Sequence, residues 1–250
     1  MTSPSILLLQ VRGVENEMAM LQERVCFQEL CGLPSPRITS LNLVTERRIS
    51  WADVAPHDVL LIGGAGSHTV TREYDFTAPL ADVVRRWVAE GYPFLGSCWG
   101  HQFLAWALGG EVITDPDRAE VGTFDIHLTP EGRRDPLLAG LPDEFPVHLG
   151  HHDVVSVLPA GMVELAYSDL GRNQVIRVAG LPAYGTQFHC EMTSSRMAER
   201  LRMYSDEYLG GDDDQGHIEG ILRPTPEAEG LLGRFLQVVA EDVRRRPVVS

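Results

Sequence analysis

The chain has few cysteines, little positive charge and no long hydrophobic run, and each shortage removes a class of protein. Its 250 residues hold four cysteines, at positions 26, 31, 98 and 190. No pair has the C-x-x-C spacing of a zinc or redox site, and the four make no disulfide framework. The formal net charge is −14, from 21 Lys+Arg against 35 Asp+Glu. That balance opposes non-specific binding to nucleic acid and docking on anionic membranes. The short run Arg244-Arg245-Arg246 reads as the polar end of a C-terminal helix. No apolar stretch approaches the ~20 residues that span a bilayer. Ile6-Leu7-Leu8-Leu9 is too short, and lacks the basic flank, for a secretory leader. The expected compartment is a reducing cytoplasm, where thiols stay free. No metal site is expected either. His151-His152-Asp153 comes nearest to a ligand cluster, but adjacent histidines on a strand point to opposite faces.

What is present is an ordinary globular composition, 44% hydrophobic, read as one domain over 1–250. Apolar runs at Ser5–Val11, Ile38–Val44, Asp58–Ile62 and Phe94–Ser97 alternate with helical patterns at about Glu15–Leu30 and Ala78–Glu90. In the first helix Met18, Leu21, Val25, Phe27 and Leu30 form the expected apolar face. This alternation predicts an α/β fold with a mostly parallel central sheet flanked by helices. From Glu111 to about His189 short strands follow one another, at Val121–Leu128, Val147–Leu149, Val154–Val157, Val163–Ala166, Val175–Val178 and Ala183–Phe188. They predict an antiparallel extension of the same sheet. Helices are expected again at Ser195–Tyr208 and Ala228–Arg245. Between them Gly210–Pro226, with Asp212-Asp213-Asp214, reads as a solvated loop. There are no internal repeats and no low-complexity segments.

The chemistry concentrates at Gly96-Ser97-Cys98-Trp99-Gly100-His101-Gln102. This heptapeptide lies between a short strand and a helical stretch, as a nucleophile elbow does. Glycines permit a tight turn, and the helix N-terminus favours a Cys98 thiolate. A cysteine nucleophile needs a base, and the base needs an orienter. Tyr184-Gly185-Thr186-Gln187-Phe188-His189-Cys190-Glu191 offers both. His189 follows an apolar strand, and Glu191, two residues on, can accept a hydrogen bond from its second ring nitrogen.

On these residues the chain resembles the class I, triad-type glutamine amidotransferases. The elbow matches G-x-C-x-G-x-Q at Gly96, Cys98, Gly100 and Gln102. The strand end matches Q-F-H-x-E at Gln187, Phe188, His189 and Glu191. Gly63-Gly64-Ala65-Gly66-Ser67 matches a G-G-P-G-S turn. Gly150-His151-His152-Asp153, with Val155 and Leu158-Pro159-Ala160-Gly161, matches a weaker S-H-x-D-x-V and L-P-x-G pattern. The resemblance implies a flavodoxin-like fold, no cofactor, and catalysis by Cys98, His189 and Glu191. It implies backbone oxyanion donors at Gly64 and Trp99, and substrate contacts at Gln102, Gly150 and His151. Cys190, Ala65 and Gly150 depart from the family's proline, proline and hydroxyl residue.

The resemblance further implies glutamine as substrate, with ammonia passed to a separate synthase enzyme. The chain has neither a G-x-x-x-x-G-K-[ST] phosphate loop nor an S-G-G-x-D-S motif of its own. The elbow also fits a hydrolase of γ-glutamyl peptides or amides, whose leaving group is another amine. A third reading is a non-catalytic binding protein, against which the intact Cys98, His189 and Glu191 weigh. The related small proteases and chaperones place histidine directly after the elbow cysteine. Here Trp99 follows.

Overall fold

The structure is a computed structural model that describes residues 3–13, 17–33, 37–46, 48–210 and 215–245. Eleven strands are described: β1 (Ser5–Val11), β2 (Arg37–Asn42), β3 (Val59–Ala65), β4 (Phe94–Ser97), β5 (Glu111–Thr114), β6 (Glu120–Leu128), β7 (Glu144–His151), β8 (Asp153–Val157), β9 (Met162–Ser168), β10 (Val175–Val178) and β11 (Ala183–Thr186). Nine form one sheet in the order β2-β1-β3-β4-β11-β10-β9-β6-β7. From β2 to β11 neighbours are parallel, and from β11 to β7 they are antiparallel. The expected parallel sheet with an antiparallel extension is therefore what the chain forms.

The central strands are buried on both faces, which is why they read as unbroken apolar runs rather than alternating ones. In β3 every residue is buried. Leu60 and Ile62 join the core layer under the helices Thr77–Ala89 and Trp99–Ala107, while Val59 and Leu61 join the opposite layer with Phe27 and Phe235. Burying each such side chain contributes roughly 1.5–3 kcal/mol. Trp87, the largest fully buried side chain, keeps its indole N–H satisfied by donating to the Pro93 carbonyl at 2.9 Å.

Five details differ from the sequence reading. Val154–Val157 lies in β8, which pairs with the unexpected strand β5 in a separate two-stranded sheet. Here Ser195–Tyr208 is interrupted at Tyr204, giving helices Ser194–Met203 and Ser205–Tyr208. Similarly, Ala228–Arg245 divides into Pro226–Glu229, Leu231–Val238 and Ala240–Arg245. The expected loop contains a short helix, Gln215–Gly220, while Asp212-Asp213-Asp214 and Arg246 lie outside the described residues.

The fifth concerns the helix Glu17–Leu30. Its inward face is Ala19, Gln22, Glu23, Cys26 and Phe27, while Met18 and Leu21 are 68% and 40% exposed. Polar partners decide this phase. Gln22 accepts from Arg200 at 2.7 Å, and Glu23 accepts from Arg12 at 2.7 Å. Among the described residues no helix is long and apolar enough to cross a membrane.

Candidate active site

Three adjacent parallel strands, β3, β4 and β11, end together, and open parallel sheets bind ligands at such carboxyl ends. Cys98 follows β4 directly, in the sharp conformation φ 51°, ψ −101°. Among described non-glycine residues only Asn173 shares a positive φ. Such backbone is strained and persists where its surroundings over-determine it. Here the Cys98 N–H donates to Thr186 O of β11 at 2.8 Å, and Gln102 N–H, one turn into the helix Trp99–Ala107, donates to Cys98 O at 3.1 Å. The elbow glycines serve close approach. A Cβ on Gly96 would stand 2.4 Å from the Gly100 carbonyl, and one on Gly100 would stand 2.3 Å from Ile62 O.

His189 and Cys98 face one another across Gly64. The point that a Gly64 Cβ would occupy lies 2.9 Å from His189 Cε1 and 3.7 Å from Cys98 Cβ. His189 Nδ1 is 2.7 Å from Glu191 Oε1. Glu191 Oε2 accepts from Ser97 Oγ at 2.7 Å. Burial pulls the imidazole of His189 down, but the Glu191 carboxylate and then Cys98 outweigh it and push the ring up to about 9. Burial also opposes the Glu191 charge, yet His189 and the Ser97 hydroxyl hold that carboxyl below its ordinary range. Nearby His148 is pushed down to about 4 by burial and by the charge on His189. His189 therefore sits between the Glu191 carboxylate and the Cys98 sulfur, in surroundings that favour its charged form, while those of His148 favour the neutral ring.

A cavity of ≈ 140 Å³ opens on Cys98, Trp99, Gln102 and Gly150, with Thr69 and Tyr208 on its walls. Gln102 borders it, but both of its amide hydrogens are committed, to Asp153 O at 2.8 Å and Gln187 Oε1 at 3.2 Å. Gly150 contributes its carbonyl, 3.8 Å from the Cys98 sulfur. The His151 ring turns inward to Glu120 Oε2 and to Asp153 O, each at 3.1 Å. The Trp99 indole stacks on Phe103 at 4.8 Å. Cys190 is fully buried in the core, where burial and the Glu191 charge push its thiol up. The Gly64 N–H, expected to face a substrate oxyanion, instead donates to Glu23 Oε1 at 3.1 Å.

Residues 36–205, well over half of the chain, match the glutamine amidotransferase class-I family. The chain belongs to that family. It is 34% identical over 190 residues to the glutamine-hydrolysing GMP synthase of Aquifex aeolicus, covering 76% of this chain and 32% of that one. It is 34% identical over 111 residues to one subunit of the glutamine-hydrolysing GMP synthase of Methanosarcina mazei, covering 44% and 57%. The chain spans about a third of the length of the first curated relatives it matches. The solved glutamine amidotransferase of Thermotoga maritima superposes with a TM-score of 0.73 at 20% identity, covering 96% of this chain and 100% of that one.

Four polar residues at the site were not legible as such in the sequence. Ser97 lies inside the elbow motif, but its hydroxyl acquires a partner only because β4 and β11 are neighbours. Gln187 lies inside the second motif, and its amide reaches the Cys98 sulfur at 3.8 Å. Glu120 and Glu23 carry no local signal. Each is fully buried, and a buried carboxylate needs a partner.

Proposed function

We propose that this chain hydrolyses the side-chain amide of glutamine, with Cys98 as nucleophile, His189 as acid and base, and Glu191 as orienter. The observation that carries this reading is the line of contacts from Ser97 through Glu191 and His189 to Cys98. Cys98 sulfur, as thiolate, adds to the amide carbon, and the carbonyl electron pair moves to oxygen. His189 gives its proton to the amide nitrogen, the C–N bond breaks, and ammonia leaves a glutamyl thioester. Water then attacks the thioester as His189 takes its proton, releasing glutamate and restoring the thiolate–imidazolium pair. The Trp99 N–H, at the start of its helix, is one oxyanion donor. Gln102 and the Gly150 and His151 backbone border the glutamyl portion.

The competing reading is hydrolysis of γ-glutamyl amides of larger amines. The leaving nitrogen must sit beside His189. The cavity that touches His189 measures ≈ 10 Å³ and is closed by Arg12, Met197, Tyr204 and Tyr208. That is room for about one water-sized molecule. A leaving group held there is no larger than ammonia, whereas the ≈ 140 Å³ cavity on Cys98 leaves room for larger amines, so the choice rests on the assay below. The likeness to a chain that is one subunit of its GMP synthase supports a separate enzyme as the recipient of that ammonia. The continuous nine-stranded sheet supports reading 1–250 as one domain.

The deciding assay is ammonia and amine release from glutamine, γ-glutamyl ethylamide and a γ-glutamyl dipeptide. Glutamine is expected to turn over fastest, and Cys98→Ala to abolish all release. Activity retained by Cys98→Ala removes the assignment. Dipeptide turnover exceeding that of glutamine moves it to the γ-glutamyl hydrolases.

A further inference from the structure

The amide that should face the reaction is bonded to a buried carboxylate. Glu23, on the helix Glu17–Leu30, is fully buried against the end of β3. Its Oε1 accepts from Arg12 Nη2 at 2.7 Å and from the Gly64 N–H at 3.1 Å. Its Oε2 accepts from Gln10 Nε2 at 2.9 Å. An N–H carries one hydrogen. While Glu23 holds it, the Gly64 amide cannot also serve an oxyanion. A tetrahedral oxygen placed there would meet a second negative charge at close range.

We propose that Glu23 is a positioning residue that withholds the Gly64 N–H from the reacting carbonyl. Hydrolysis then proceeds once the Gly63–Gly64 peptide turns that N–H from Glu23 toward Cys98. This rests on the hydrolysis proposed above. Three features of the chain make the turn feasible. A Cβ on Gly63 would stand 2.5 Å from Glu23 Oε1, and one on Gly64 2.9 Å from His189 Cε1, so both positions call for glycine, the residue with the widest choice of backbone angles. Ala65 follows where the matching motif has proline, and proline would bias Gly64 toward extended backbone. Glu23 keeps Arg12 and Gln10 when Gly64 departs, so the buried charge stays paired.

Glu23→Gln alone leaves Arg12 as an unpaired buried charge, which often prevents folding. The test is therefore the paired variant Arg12→Met/Glu23→Met, which removes both charges at similar volume. It is assayed for glutamine hydrolysis, and for hydrogen exchange at the Gly64 amide by NMR of 15N-labelled protein. Since one oxyanion donor is worth about 10²–10³ in kcat, the expectation is a rise in kcat of about tenfold or more. KM should change less than about threefold, and the Gly64 amide should lose its protection. A folded variant with unchanged or lower kcat overturns the proposal, because a carboxylate that merely braces a productive loop gives a fall. If the wild type shows no Cys98-dependent hydrolysis, the reading of the reaction fails separately. Gly64 exchange then decides: protection lost in the variant supports the withheld amide, and unchanged protection overturns it.

Discussion

Replacing Ser97 by alanine removes one buried hydroxyl and tests the electrostatics of the whole site. Ser97 Oγ donates to Glu191 Oε2 at 2.7 Å, and both residues are fully buried. A hydrogen bond to a charged group contributes about 1.5–3 kcal/mol. A loss of about 2 kcal/mol lowers Tm by roughly 4–8 °C in a chain of this size. The effect also has a pH signature. The folded value of His189, about 9, lies above its ordinary 6.5. The stability it contributes is complete below about 6.5 and is lost as pH rises through about 9. Glu191 is depressed, so its share is present above the ordinary carboxylate value of 4.5 and is lost as pH falls through its lower folded value. With the hydroxyl gone, Glu191 supports the imidazolium less firmly, and the alkaline limb of kcat/KM moves to lower pH. Near neutral pH kcat falls about tenfold, equivalent to about 1.4 kcal/mol. KM for glutamine stays within about twofold, because Ser97 is not among the residues that border the ≈ 140 Å³ cavity. Glutamate release between about pH 6 and 10, with thermal unfolding alongside, reads all three. An unchanged Tm, an unchanged kcat and an unmoved alkaline limb together refute the argument.

Two further outcomes follow from packing. Gly100→Ala places a Cβ 2.3 Å from the Ile62 carbonyl of a central strand. It should destabilise by about 3 kcal/mol or more in urea unfolding, and an effect under about 1 kcal/mol would show that strand and helix are less tightly joined. Tyr208→Ala opens the wall shared by the two cavities beside Cys98 and His189. Discrimination between glutamine and γ-glutamyl ethylamide should fall about tenfold, read as the ratio of kcat/KM values. An unaltered ratio would mean that Tyr208 does not bound the leaving group.

The parts of the fold legible in the sequence are those that impose their own pattern. β3 and β4 are apolar because both faces are covered, and the elbow announces itself because strand, glycines and helix are contiguous. His189 and Glu191 are legible for the same reason, lying two residues apart. Contacts that depend on which strands become neighbours were not legible. Ser97 meets Glu191 only through the β4–β11 pairing, and Glu120 meets His151 only through β6 and β7. The helix Glu17–Leu30 was misphased because Met18 and Leu21 carry more apolar weight than Ala19 and Cys26. The buried network of Gln22 and Glu23 fixes its rotation instead. The break at Tyr204 follows a tertiary demand too, since its hydroxyl accepts from Arg12 at 3.3 Å.

The β4–β11 pairing also orders events in time. Gln187, at the end of β11, meets a cysteine 89 residues earlier. Closing so long a loop is slow relative to forming the elbow, whose strand and helix are adjacent. A chain growing from its N-terminus therefore displays the thiol well before residues 187–191 are made. Throughout that interval it lacks the imidazole of His189 and the carboxylate of Glu191 behind it. On the proposed mechanism, the site is complete only when the last parallel strand, β11, joins β4 in the sheet.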